Sequence, residues 1–261
     1  MSDARPAIPA AIKREVRRRC HFGCVMCGAP VIDYDHMVEY AVAGSHDADN
    51  ITLLCTQHHA EKTRKRLPLE KVLAADAAPY NAGRHVTGGH LLESFVGSNY
   101  AFNVGTNLFM ADLGEGRSQG IALNVDGGNV FSASIVDGEL LIRAFLRDAC
   151  NRPLLRIHDN ELVHTTAGWD VVWEANRLKM WTGDRVVGFE ISFEREGLDI
   201  IRGEWWANGL KFAVVDGAFI GMKNTTFIDC QVYNGGFYAG DPQLMRIKPA
   251  LNFGDAPRYI C

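Results

Sequence analysis

Apolar and polar positions follow two different rhythms along this chain, and the change falls near residue 90. From Ile8 to Arg19, Ile12 and Val16 recur at a four-residue spacing among basic neighbours, which predicts a short amphipathic helix. A tight turn is expected at Cys24-Val25-Met26-Cys27-Gly28, followed by a strand-like run from Val31 to His36. Ala41 to Asp49, with Gly44, Ser45 and two aspartates, reads as loop. Ile51 to Leu54 is a second short strand. Thr56 onward reads as helix until Leu67-Pro68, and a further helix is expected from Leu69 to about Ala75. The Gly and Pro density of residues 79–90 predicts a linker between a domain at 1–78 and a second at 91–261.

Beyond Leu91 the runs are short and β-prone, as in Leu140–Leu146, Trp169–Trp173, Val186–Phe193 and Phe212–Val215. Asp126-Gly127, Asp137-Gly138, Asn208-Gly209, Asp216-Gly217 and Asn234-Gly235 punctuate them. Asx-Gly pairs tolerate the two positive φ values that a tight hairpin turn requires. This part therefore reads as an antiparallel all-β domain, a sandwich or barrel. The Gly- and Asn-rich tail from Phe219 to Tyr238 also admits rungs of a β-solenoid, but no fixed repeat period supports it. The fold class expected for the whole is α+β, a small N-terminal unit followed by a larger all-β domain.

Hydrophobic residues make up 47% and charged residues 22%, the balance of a globular chain. A net charge of -4 excludes a basic coat protein. The charge is uneven, however: residues 1–78 hold 11 Lys/Arg against 10 Asp/Glu, and the remainder 16 against 21. Two basic clumps, residues 13–19 and 62–66, bracket the Cys- and His-rich segment. They suggest phosphate contacts through Arg17, Arg18, Arg19, Lys62, Arg64 and Lys65. No apolar run approaches the roughly 20 residues of a membrane helix, and no apolar core follows the charged N-terminus as in a secretory signal. The expected location is the cytoplasm, with no membrane partner. Seven cysteines, an odd number without an export signal, favour reduced thiols and metal ligation over disulfides.

Cys24 and Cys27 are followed by Cys55 and His58, two pairs with the same spacing. Each pair can grip one edge of a tetrahedral ion, which points to zinc. Four protein ligands leave no open position, so that zinc is structural, and in a unit with so little core it supplies much of the folding free energy. The alternative is a set of buried thiols lining a small core. Cys20 is spare and reads as structural.

The knuckle Cys24/Cys27, the Asp35-His36 dipeptide, Gly44, Asp49-Asn50 leading into Ile51–Cys55, and His59 followed by Lys62 resemble the HNH endonucleases. They are similar to the zinc-bearing branch that includes restriction and phage-encoded enzymes. The resemblance covers about residues 15–66 and implies a zinc-stapled ββα-metal nuclease domain. It implies His36 as the general base, suited by an imidazole pKa near working pH. It also implies Asp35 and His59 as ligands of one catalytic divalent ion, Mg²⁺ or another such as Mn²⁺. Asn50 would hold the strand bearing His36, and Lys62 would meet a phosphate. His58 stands where the family usually has the last cysteine of the knuckle, and Glu39 lies near a position often held by proline. The other histidines, His46 among them, are assigned no role. One alternative is a zinc-stapled DNA-binding or scaffold protein without catalysis, but base and ligand candidates are all present.

For the β-rich part, one reading is a DNA-reading module of a restriction or mobile-element enzyme, against which its acidic balance counts. The other is a sensor or docking module with a protein or ligand trigger, making the chain an effector in bacterial antiphage defence. Trp169, Trp173, Trp181, Trp205 and Trp206 either line its ligand surface or fill a sandwich core. A single HNH site cuts one strand of DNA, so a double-strand break needs a homo-oligomer or two visits.

Overall fold

The computed structural model describes residues 6–93, 95–114, 119–221, 225–245, 249 and 251–252. The chain divides into two compact units. One runs to His90 and includes Thr166–Trp173; the other holds Leu91–Thr165 and Glu174–Cys261. The architecture is α+β, a small N-terminal unit and a large β-rich one, as the sequence predicts.

In the first unit, helix α1 (Ala10–Arg19) follows Pro9, and Arg17, Arg18 and Arg19 occupy its last turn, where cations complement the helix dipole. It ends at Cys20, because His21 and Phe22 take positive φ. Strand β1 (Asp33–His36), the short helix α2 (Tyr40–Ala43), a 3-10 turn (Ala48–Asn50), strand β2 (Ile51–Leu54), helix α3 (Thr56–Thr63) and helix α4 (Leu69–Ala77) follow. β1 and β2 pair antiparallel, with Asp35 opposite Thr52 and His36 opposite Ile51. Every side chain of β2 is buried, and Ile51, Leu53 and Leu54 form one cluster with Val16, Cys20, Cys24 and Val25. At about 1.5–3 kcal/mol per fully buried aliphatic side chain, this cluster is a modest core that a metal can supplement.

Residues 79–90, expected to be a linker, are strapped to the Cys24–Cys27 turn. Asn81 is 1% exposed. Its Nδ2 donates to the carbonyls of His21 and Gly28, each at 3.1 Å, and its Oδ1 accepts from the Gly88 amide at 3.2 Å. The glycines that suggested flexibility allow close approach instead. A Cβ at Gly28 (φ +76°) would lie 2.2 Å from Asn81 Oδ1, and one at Gly88 2.3 Å from the Cys27 carbonyl oxygen.

The second unit consists mainly of antiparallel hairpins. Four predicted turns, Asp126-Gly127, Asp137-Gly138, Asn208-Gly209 and Asp216-Gly217, have positive φ at both residues and join paired strands. Asn234-Gly235 behaves differently. Its flanking strands, Gln231–Tyr233 and Phe237–Ala239, pair in parallel with Leu108–Met110 and Leu123–Val125 instead of with each other. Trp205 is fully buried and stacks with Phe212 and Phe219 at 5.9 and 6.0 Å, so this tryptophan is core. Cys150 is disulfide-bonded, against the expectation of reduced thiols throughout, and Cys261 lies outside the described residues. Among the described residues, no helix is long and apolar enough to cross a membrane.

Candidate metal centre and catalytic cleft

The Cys24–Cys27 turn is closed by the Gly28 amide, which donates to the Cys24 carbonyl at 2.7 Å. Cys55 caps α3, which places His58 in its first turn. The ligating atoms of Cys24, Cys27, Cys55 and His58 all lie within 4.8 Å of one another. Cys27 and Cys55 Sγ are 3.8 Å apart, and His58 Nδ1 lies 3.5 Å from Cys24 Sγ and 3.2 Å from Cys55 Sγ. Tetrahedral zinc, with bonds of about 2.3 Å to sulfur and 2.05 Å to nitrogen, sets edges of about 3.8 Å (S–S) and 3.6 Å (S–N). The cluster fits that ion. Its electrostatics agree: hydrogen bonds with Cys27 and Cys55 push the Cys24 thiol up, whereas those from Cys24 and Cys27 pull Cys55 down. Three sulfurs thus compete for one negative charge, and a bound dication allows all of them to be thiolates. Cys20 stands apart, fully buried near Thr52 and Asp76, its thiol pushed up to about 11 chiefly by burial.

His58 and His59 are adjacent on α3, about 100° apart around its axis, and they serve different places. His59 Nε2 lies 3.4 Å from Asp35 Oδ1, and its Nδ1 3.9 Å from Asp33 Oδ2. Two donors at right angles on one divalent ion with bonds of about 2.1 Å are about 3 Å apart, so Asp35 and His59 are spaced to share a cation. A cleft of about 850 Å³ is lined by Asp35, His36, Glu39, Tyr40, His59 and Lys62. Glu39 is exposed there. Asn50 accepts from the Val38 amide through Oδ1 and donates to the Val38 carbonyl through Nδ2, both at 2.8 Å. An asparagine can satisfy both halves of a peptide in this way. The Asn50 carbonyl also accepts from the Met37 amide at 2.8 Å, so the chain just after His36 is pinned.

Three residues expected to contact phosphate are engaged within the unit. Lys62 turns inward, with Nζ 2.7 Å from Asp35 Oδ2 and 2.7 Å from the His36 carbonyl oxygen. Arg17 is buried in a bidentate pair with Asp170, Nε to Oδ1 at 2.7 Å and Nη2 to Oδ2 at 2.5 Å, and its Nη1 bonds the Tyr34 hydroxyl. Arg19 donates to the carbonyls of Ala48 and Ile51 and pairs with Asp76 at 3.2 Å. The sequence places these cations on helices without showing which acids meet them. Arg18, Arg64 and Lys65 are exposed.

Sequence reasoning missed Asp33, Asp170 and His46. Asp33 was detectable, since it is two residues from Asp35 on one strand and side chains alternate with period two. Asp170 lies 153 positions from Arg17, and no local signal joins them. His46 sits in a loop, where no periodicity marks it, yet its Nδ1 is 3.1 Å from His36 Nε2.

Residues 24–65 match the family model described as HNH endonuclease. No curated protein matches the chain, and no solved structure does. This segment carries an HNH endonuclease domain, and its Cys₃His cluster fits the zinc-knuckle form. The match covers none of the β-rich unit.

Proposed function

We propose that the chain is a metal-dependent endonuclease that hydrolyses phosphodiester bonds in DNA. The observation that carries this is the 3.4 Å approach of His59 Nε2 to Asp35 Oδ1 in a cleft that His36 also lines. Asp35 and His59 would hold one Mg²⁺ or Mn²⁺ ion, and Cys24, Cys27, Cys55 and His58 a structural Zn²⁺. When bound, the catalytic ion stabilises charge on the phosphate and the leaving oxygen. His36 takes the proton from the attacking water. The water oxygen forms the new bond to phosphorus, the bond to the leaving oxygen breaks, and that oxygen takes a proton from solvent. Lys62 holds the second oxygen of Asp35 and so keeps the first turned toward His59, with which it would hold the ion, a positioning task in place of the phosphate contact expected from sequence. Asn50 fixes the backbone behind His36. Exposed Arg18, Arg64 and Lys65 remain for the DNA backbone.

In the fuller reading, this nuclease is a cytoplasmic effector of antiphage defence whose basal cleavage is low and rises when a ligand or protein engages the β-rich unit. The acidic balance of that unit supports a docking role over a DNA clamp. The decisive experiment is incubation of purified protein with supercoiled plasmid, with and without Mg²⁺ or Mn²⁺, beside His36→Ala. Metal-dependent nicking that His36→Ala abolishes supports the proposal. No cleavage with either ion, or equal cleavage by the variant, defeats it and leaves a zinc-bearing DNA-binding protein as the better account.

A further inference from the structure

His46 lies in the loop between α2 and the 3-10 turn. Its Nδ1 is 3.1 Å from His36 Nε2, and its Nε2 is 2.7 Å from the carbonyl oxygen of Pro6. A carbonyl oxygen only accepts, so His46 Nε2 carries hydrogen. Neutral imidazole has one N–H, so His46 Nδ1 offers a lone pair and His36 Nε2 must donate to it. His36 therefore carries its hydrogen on Nε2, and Nδ1 is its basic nitrogen. Tyr40 packs against both rings, edge-on to His36 with centroids 5.6 Å apart and tilted over His46 at 4.7 Å. The relay fixes both the tautomer of His36 and the plane in which its basic nitrogen lies, since the partner of one ring nitrogen sets the role of the other.

We infer that His46 is a positioning residue for the general base: it accepts the His36 Nε2 hydrogen and so presents His36 Nδ1 to the attacking water. The inference rests on the reading of His36 as base. It goes beyond that reading by naming the proton-accepting atom and the group that orients it.

The test uses the full chain. His46→Leu keeps an apolar contact for Tyr40 but offers no acceptor; His46→Asn places an amide oxygen near the position of the lost Nδ1. Loss of an outer orienting partner lowers activity by about 10- to 100-fold. His46→Leu should show that loss in kcat, with KM and zinc content close to wild type, and His46→Asn should recover most of it. Independently of turnover, nitrogen NMR of the wild-type imidazoles should place the His36 hydrogen on Nε2. A hydrogen on His36 Nδ1, or a His46→Leu enzyme with wild-type kcat while His36→Ala is inactive, overturns the inference alone. Cleavage by His36→Ala removes the functional reading beneath it, a separate result. If His46→Leu fails to fold, the NMR assignment and the Asn variant still decide.

Discussion

Replacing Asp170 by alanine removes one carboxylate from the first unit and strands a guanidinium. Arg17 and Asp170 side chains are 10% and 4% exposed, so solvent cannot take over the lost partner. Burial acts to lower the Arg17 pKa, but the hydrogen bonds and charges of Asp170 and Tyr34 outweigh it and hold it raised. Without Asp170 burial works against the charge unopposed by its main partner, but a guanidinium is not deprotonated in proteins, so the arginine stays charged after the substitution. Two charge-assisted hydrogen bonds disappear together, and breaking a buried pair from one side costs about 3–5 kcal/mol. An exposed pair provides the internal control. In the same unit, Arg66 and Glu61, 2.6 Å apart with Arg66 59% exposed, should lose about 0.2–1 kcal/mol on Glu61→Ala. Native-state hydrogen exchange of the β2 amides reads the opening free energy of the first unit. Asp170→Ala should lower it by the larger figure, and Arg17→Met combined with Asp170→Leu should restore most of the loss. A cost below about 1 kcal/mol, no larger than a surface pair, would falsify the claim that this ion pair organises the unit.

Three further outcomes follow from the geometry. Protein dialysed against a mild chelator should retain one zinc per chain, and Cys55→Ser should lose it along with the cooperative transition of the first unit; metal analysis beside calorimetry checks both. Alanine at Arg18, Arg64 or Lys65 should weaken DNA binding uniformly across sequences and reduce the salt slope by about one each, whereas Arg17→Ala should mainly destabilise; fluorescence anisotropy at several salt concentrations separates them. His164 is fully buried and its pKa falls from 6.5 to about 4, chiefly through loss of solvation. The unfolded chain then binds the proton more readily. Stability from this group is complete above pH 6.5 and is lost as pH falls toward 4, by roughly 3 kcal/mol at about 1.4 kcal/mol per pH unit. Urea melts at pH 7 and 4.5 should show this loss in wild type and a smaller one in His164→Gln.

The readable part of the site was the part whose partners are close in sequence. Cys24, Cys27, Cys55 and His58 announce themselves by spacing; Asp35, His36, Asn50 and His59 were legible through the order of motifs in the family resemblance, and they fall on one strand, the turn before the next strand and the helix that follows. Hairpins of the β-rich unit were legible for a similar reason, since an Asx-Gly turn dictates its own geometry. Asn234-Gly235 has the same chemistry, but its flanking strands pair with distant partners, and turn chemistry does not encode that pairing. Arg17 looked like a phosphate ligand because its acid lies far along the chain. Residues 79–90 looked like a linker because glycine signals both freedom and close approach, and only the packed neighbour tells them apart.

Asp170 belongs to an eight-residue stretch, Thr166–Trp173, that completes the first unit although both flanking segments belong to the second. Within that unit the stretch is also held at its start, where the Thr166 hydroxyl donates to the Arg84 carbonyl at 2.5 Å and its amide to that of His85 at 3.1 Å. The coding information for the nuclease unit is therefore split. A single recombination crossover after residue 78 or 90 would transfer the zinc ligands and the cleft residues but leave behind the carboxylate that neutralises Arg17. Descendants of such an exchange would inherit a buried orphan charge, so gene shuffling that keeps a stable nuclease must carry the distant eight codons along or replace Arg17 in the same event.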